Sequence, residues 1–93
     1  MNIKPTIGRV VWYWPHVSDT LVSINDTEAF CAATIAYVWN EGMVNLAVHD
    51  HNGNTMPKTS VPLWQGDDKD CPRGSCCWMP YQKEQAAKHH TAE

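Results

Sequence analysis

Residues 30–50, FCAATIAYVWNEGMVNLAVHD, constrain the fold more than any other part of this chain. They read as two strands joined at Asn40-Glu41-Gly42. In the second strand Val44, Leu46 and Val48 point one way, and Met43, Asn45, Ala47 and His49 the other. This is the period-two alternation of a half-buried antiparallel strand. In the first, Ala33, Ile35, Tyr37 and Trp39 form one row, and Ala32, Thr34, Ala36 and Val38 the opposite row. The small residues Ala32, Ala33 and Ala36 allow another layer to approach closely. Gly42 is free to take a positive φ at the turn.

The remaining apolar segments are short enough to be partners of this hairpin. Residues 7–14, IGRVVWYW, are rich in β-branched and aromatic side chains and stop at Pro15, which favours a strand. Val10, Trp12 and Trp14 share one face; Arg9, Val11 and Tyr13 share the other. Both faces are apolar, so the strand is either covered on both sides or offers aromatics to a partner. Residues 15–29 mix turn formers with a few apolar residues and read as a long loop, with a helical turn near 26–30. Asn52-Gly53 marks a tight turn. Pro57 and Pro62 make residues 55–64 an edge or broken strand, because proline lacks a ladder donor; Val61 and Leu63 share its core face. Residues 65–75 read as a polar loop. Residues 76–81, CCWMPY, read as a last short strand or turn ended by Pro80. The expected organisation is one β domain over residues 1–81 and a polar tail over 82–93, a frayed helix or disordered.

A chain of 93 residues buries roughly 64% of its unfolded surface. The core is therefore thin, and closing a barrel or forming an oligomer is the usual remedy. Ten acidic and seven basic residues give a net charge of −3 with no basic run, which argues against a nucleic-acid polymer as partner. The N-terminus lacks the apolar core of a secretory signal, and no apolar run is long enough for a membrane span. The expectation is a cytosolic protein with reduced thiols.

Candidates for chemistry are few. Cys71-x4-Cys76-Cys77 does not have the paired spacing of structural zinc sites. In an extended segment Cys76 and Cys77 point to opposite faces, and Cys71 with Cys76 could close a loop under oxidising conditions. Small buried thiols are the plainer reading. His49 and His51 share a face in a strand and could bind a metal, but nothing in the sequence supplies a third ligand beside them from Cys31, His16 or a carboxylate. No P-loop, G-x-S-x-G or dinucleotide fingerprint occurs. No catalytic residue, metal or cofactor is assigned.

The aromatics are the strongest non-random feature: five tryptophans against a single Phe. Trp12, Tyr13, Trp14, Tyr37, Trp39, Trp64, Trp78 and Tyr81 do not all fit inside so small a domain, so some line a groove or subunit interface. Stacking aromatics beside Arg9 suit a nucleotide-type ligand. An oligomer interface uses the same residue types.

Residues 7–11 (IGRVV), 33–39 (ATIAYVW), 44–46 (VNL), 52–54 (NGN), 59–61 (TSV) and 77–81 (CWMPY) together resemble a family of small proteins encoded by tailed phages and prophages of enterobacteria. The resemblance spans most of residues 6–81. It implies an accessory protein made in the host cytoplasm during infection, and it brings genome context more than mechanism. The strand layout is similar to an SH3-like barrel of about five short strands. Plasmid-borne type II dihydrofolate reductases share that architecture as a tetramer around a pore. Their pore motif is absent here, so their activity is not carried over.

The sequence therefore leads to an all-β, SH3-like, homo-oligomeric barrel that binds rather than catalyses. Its expected role is immune evasion by sequestering a nucleotide-type signal or a host defence protein, through Arg9, Trp12, Trp14, Trp39, Trp78 and Tyr81. A structural or regulatory phage protein acting through a protein interface, and a Cys/His metal-dependent protein, remain as alternatives.

Overall fold

Five strands close into a small SH3-like barrel in the order β1-β2-β3-β4-β5. They are β1 (Val10–Tyr13), β2 (Cys31–Asn40), β3 (Met43–His49), β4 (Thr55–Trp64) and β5 (Cys76–Cys77). A 3-10 turn, Asp68–Asp70, lies between β4 and β5, and the helix α1 (Pro80–Thr91) comes after β5. This is a computed structural model, and it describes residues 3–15, 30–50 and 52–91, with side chains through residue 87. The 15–29 loop beyond Pro15 and its expected helical turn fall outside the described residues except for Phe30, as does His51.

The hairpin of β2 and β3 is central, as its length requires. β2 pairs antiparallel with β1 through Val10↔Thr34 to Tyr13↔Cys31, and with β3 through Ala33↔Val48 to Asn40↔Met43. β3 pairs in turn with β4. The two-residue β5 completes the circle. Trp12↔Cys77 and Tyr13↔Cys76 join it antiparallel to β1, while Leu63↔Cys76 and Trp64↔Cys77 join it parallel to β4. Barrel closure thus rests on Cys76 and Cys77. The core is drawn from every strand: Val11, Tyr13, Ala33, Ile35, Val44, Leu46, Val48, Val61, Leu63, Cys76 and, just beyond β5, Trp78.

Alternation holds through β3 and fails in β2. Between Ile35 and Tyr37, and again between Val38 and Asn40, β2 advances two residues while β3 advances one. Each extra residue is a β-bulge, which flips the side-chain parity of the rest of the strand. Val38 therefore packs against the core, and Tyr37 and Trp39 turn outward, 47% and 57% exposed. The single face expected for Ala33, Ile35, Tyr37 and Trp39 is thus split: Ala33 and Ile35 face the core with Val38, and Tyr37 and Trp39 face out. At the turn, Gly42 does not enter the left-handed region. Its N–H instead donates to Asn40 Oδ1 at 2.8 Å, and its carbonyl accepts from Leu63 N–H at 2.9 Å.

β4 covers residues 55–64, the stretch expected to be an edge or broken strand. Its first half pairs with β3 alone, so Pro57 sits where a missing donor costs little. The break comes instead at Thr59–Ser60. Leu46 pairs with Lys58 and Val44 with Val61, so β4 advances three residues for two of β3. Ser60 takes φ 53°, and its N–H donates to Asn45 Oδ1 at 2.8 Å. At the other end of β3, Asp50 Oδ1 accepts from Asn52 N–H and Asn54 N–H, both at 2.9 Å. Gly53 supplies the positive φ of that turn.

The 65–75 segment is less polar in its packing than in its composition. Cys71 and Ser75 are buried. Gln65 Oε1 accepts from Ile3 N–H (3.0 Å) and from the Trp78 indole (3.1 Å), while its Nε2 donates to Ile3 O (2.9 Å). Pro80 opens a helix rather than ending a strand. At the first helical position its missing N–H is no loss. Gln82 Oε1 reaches back to Met79 N–H at 2.8 Å, half of a capping box. Gln82 Nε2 donates to Val10 O at 2.7 Å and Lys83 Nζ to Gly66 O at 2.6 Å. Two polar side chains, not an apolar stripe, hold α1 on the barrel.

Candidate functional site

The six expected site residues fall into three separate groups. Trp12, on the outer face of β1, and Trp14, just beyond its end, flank Phe30, each ring centroid 5.0 Å from it; the Trp12–Phe30 planes differ by 22°. Arg73 lies over Trp14 at 4.4 Å, and its Nη1 donates to Pro15 O at 3.0 Å. This cluster covers itself, and both tryptophans are half-buried. Phe30 and Arg73 were missed in the sequence because their partners are remote in the chain.

The second group is at the junction of β1 and α1. Trp78 is 1% exposed and belongs to the core, so a ligand has no face of it to stack on. The sequence could not show this, because burial of a lone tryptophan depends on what satisfies its N–H, here Gln65. The Arg9 guanidinium lies 5.8 Å from the Trp78 ring centroid, and Arg9 itself is exposed. Tyr81, 68% exposed, stands in the first turn of α1, which Gln82 ties to β1.

The third group is the outward aromatic pair of β2. Tyr37 and Trp39 meet edge-on at 4.8 Å and 75°. Trp39 Nε1 donates to Asn45 Oδ1 at 2.9 Å, the same oxygen that receives Ser60 N–H. The first bulge of β2, the irregularity in β4 and the left-handed Ser60 meet at Asn45, and the second bulge lies opposite Val44 and Met43. Bulges and strained backbone concentrate where a fold re-aims side chains for use. Ile7, 67% exposed, precedes Gly8, whose N–H donates to Ile35 O at 2.8 Å. That bond sets Ile7 at the same end of β2. Asn45 and Ser60 were not among the expected site residues; Tyr37 was singled out with Trp39 among the aromatics.

The thiols are also sorted by the fold. Cys31 is separated from Cys76 by β1, since Tyr13 pairs with both. Cys76 Sγ–H donates to Pro62 O at 3.5 Å, and burial pushes its pKa up to about 12. Cys77 hydrogen-bonds Cys71 instead. That bond lowers the Cys71 pKa and, with burial, raises that of Cys77. The Cys71 thiol also donates to Pro72 O at 3.7 Å. Among the described residues no three His, Cys, Asp or Glu side chains gather in a metal-holding group. His49 instead contacts Thr34 Oγ1 (3.3 Å) through Nε2 and Thr55 Oγ1 (2.9 Å) through Nδ1.

Among the described residues no helix is long and apolar enough to cross a membrane. No protein-family model, no curated protein and no solved structure matches the chain.

Proposed function

We propose that this chain is a non-catalytic accessory protein of a phage that binds a host protein through the Tyr37–Trp39 edge. The observation that carries the reading is the outward turn of these two aromatics, set by paired bulges and held by Asn45. Exposed tryptophan and tyrosine anchors beside an exposed isoleucine suit a protein partner, where a few such residues supply most of the binding energy. The separation of the six expected residues into three groups disfavours a single pocket for a stacked nucleotide. The phage context and the host cytoplasm as site of action come from the sequence resemblance, and the anti-defence role from that context. A second copy of the chain is the competing occupant of the same edge.

A nucleotide-type ligand remains the second reading, now located at Arg9 and Tyr81. There an exposed guanidinium and an exposed ring border the β1–α1 junction.

The test compares wild type, Trp39→Ala and Arg9→Ala. Partner binding predicts that a co-purifying host protein is retained by wild type and Arg9→Ala. Trp39→Ala should lose at least roughly thirtyfold in affinity, the scale of an anchor residue. Sedimentation would expose self-association instead if wild type is an oligomer and Trp39→Ala a monomer. A melting-temperature rise with cyclic nucleotides that Arg9→Ala abolishes would favour the second reading.

A further inference from the structure

We propose that Asn52 is a self-modification site. Its side-chain amide condenses with the backbone nitrogen of Gly53, loses ammonia and is hydrolysed to an aspartyl or isoaspartyl residue. The inference is independent of which partner the barrel binds.

The fold singles out this asparagine among the described ones. Asn40 Oδ1 accepts from Gly42 N–H at 2.8 Å, and Asn45 Oδ1 accepts from Trp39 Nε1 and Ser60 N–H. Asn54 Nδ2 donates to Asp50 Oδ2 at 3.2 Å. Asn52 is exposed, and its carboxamide has no hydrogen-bond partner among the described residues; the residue is held by its backbone N–H, on Asp50 Oδ1. The following residue differs too. Glu41, Leu46 and Thr55 follow the other three, and each carries a side chain that crowds the nitrogen that must attack. Gly53 carries none, and nothing lies within 4 Å of where its Cβ would be. Its φ of 84° suits glycine. The turn that needs glycine here thus also supplies the least hindered nitrogen.

The reaction has two steps and consumes only water. The Gly53 nitrogen gives up its proton and attacks Asn52 Cγ, closing a five-membered succinimide. The Cγ–Nδ2 bond breaks, and Nδ2 leaves as ammonia with that proton. Water then attacks one of the two ring carbonyls, and the bond from that carbon to the Gly53 nitrogen breaks. Opening at Cγ gives an ordinary aspartyl residue. Opening at the backbone carbonyl gives isoaspartyl, in which the chain runs through Cγ and is one methylene longer.

The turn sets the rate. Gly53 N–H donates to Asp50 O at 2.9 Å, so its nitrogen attacks only when this bond opens. Asp50 holds the turn shut: its carboxylate accepts from Asn52 N–H and Asn54 N–H, and its N–H donates to Asn54 O at 2.8 Å. Conversion places a second carboxylate near that of Asp50, adding one negative charge to a chain of net charge −3. The isoaspartyl product also lengthens the loop that these bonds close. The end of the β3–β4 hairpin, where His49 pairs with Thr55, is loosened by both changes.

The test incubates the full chain at mildly alkaline pH and follows it by peptide mapping. Cleavage after Glu41 and Lys58 isolates residues 42–58, which hold Asn45, Asn52 and Asn54. Fragmentation should place the amide-to-acid mass gain on position 52 alone, and an isoaspartyl methyltransferase should label this peptide. Asn52→Gln, whose ring would need six members, should leave it unmodified over the same time. Asp50→Ala should speed the loss of Asn52 by roughly tenfold, the effect on turn opening of about one net hydrogen bond. Amide exchange at Asn54 should be faster in the isoaspartyl product than in the parent chain. The proposal is overturned if Asn45 or Asn54 converts before Asn52, or if Asn52 stays intact in the folded chain long after the urea-unfolded chain has converted. An unchanged rate in Asp50→Ala equally overturns it, because the turn then does not govern the attack.

Discussion

The indole N–H of Trp39 and the side chain of Asn45 meet at 2.9 Å across the β2–β3 hairpin. This bond fixes an exposed tryptophan in one orientation. The acceptor, Asn45 Oδ1, also receives Ser60 N–H at 2.8 Å, so one oxygen ties the aromatic pair to the irregular point of β4. Asn45→Ala removes both bonds. It should cost about 1–2 kcal/mol, the net value of two partly exposed hydrogen bonds. It should also raise the mobility of Trp39, read as a loss of its side-chain NOEs to Tyr37. Unfolding by urea measures the first effect; an unchanged midpoint would mean that the bulges stand without Asn45.

Ser60 tests the strain itself. A non-glycine residue at φ 53° carries a cost on the order of 1 kcal/mol, which glycine avoids. Its side chain is exposed, so little packing is lost on truncation. Ser60→Gly should therefore stabilise the barrel by roughly 0.5–1 kcal/mol, after the greater freedom of glycine in the unfolded chain is subtracted. A lower melting temperature for this variant would show that the serine hydroxyl, not the backbone, matters there.

Gly66 gives the opposite sign. A Cβ placed there would lie 2.9 Å from two ring atoms of Trp64. The ring is not free to retreat, because its Nε1 donates to Asp67 O at 2.8 Å. The Gly66 carbonyl is also the acceptor for Lys83 Nζ. Gly66→Ala should destabilise by about 1–3 kcal/mol through overpacking and loosen α1, seen as faster amide exchange in its first turn. Gly8→Ala is the contrast: nothing lies within 4 Å of a Cβ there, and only its φ of 94° is strained.

Barrel class and the hairpin at its centre were legible because β3 is a plain alternating strand with one buried face. Val44, Leu46 and Val48 could take no other side. β2 could be found but not oriented beyond Ile35. Bulges at Ala36 and Trp39 carry no residue signature there, and each reverses the rule used to read faces. The prolines of β4 were read as breakers without knowing that Pro57 faces no second neighbour. α1 was read as a frayed tail because helices are recognised by an apolar stripe, whereas this one is docked by Gln82 and Lys83. Aromatic excess correctly drew attention to Trp39. It could not separate Trp39, 57% exposed, from Trp78, 1% exposed, since that difference lies in contacts with Asn45 and Gln65 from elsewhere in the chain.

Cys76 makes the stability of the closed barrel sensitive to alkali. Its thiol is fully buried, and burial, with a smaller contribution from the neighbouring Cys77, raises its pKa from 9.0 to about 12. Between those values the unfolded chain releases the proton that the folded chain retains. The unfolded state then binds fewer protons, so stability falls as pH rises. The contribution is fully present below pH 9.0 and is lost as pH climbs toward about 12. The limiting slope is about 1.4 kcal/mol per pH unit for one proton. Under reducing conditions, urea midpoints of wild type should drop across this window more steeply than those of Cys76→Ala. Cys77 shifts in the same direction but is retained in both proteins, so the difference between the two profiles isolates Cys76. Parallel profiles would mean that Cys76 binds its proton equally in the folded and unfolded chain, so that burial does not raise its pKa.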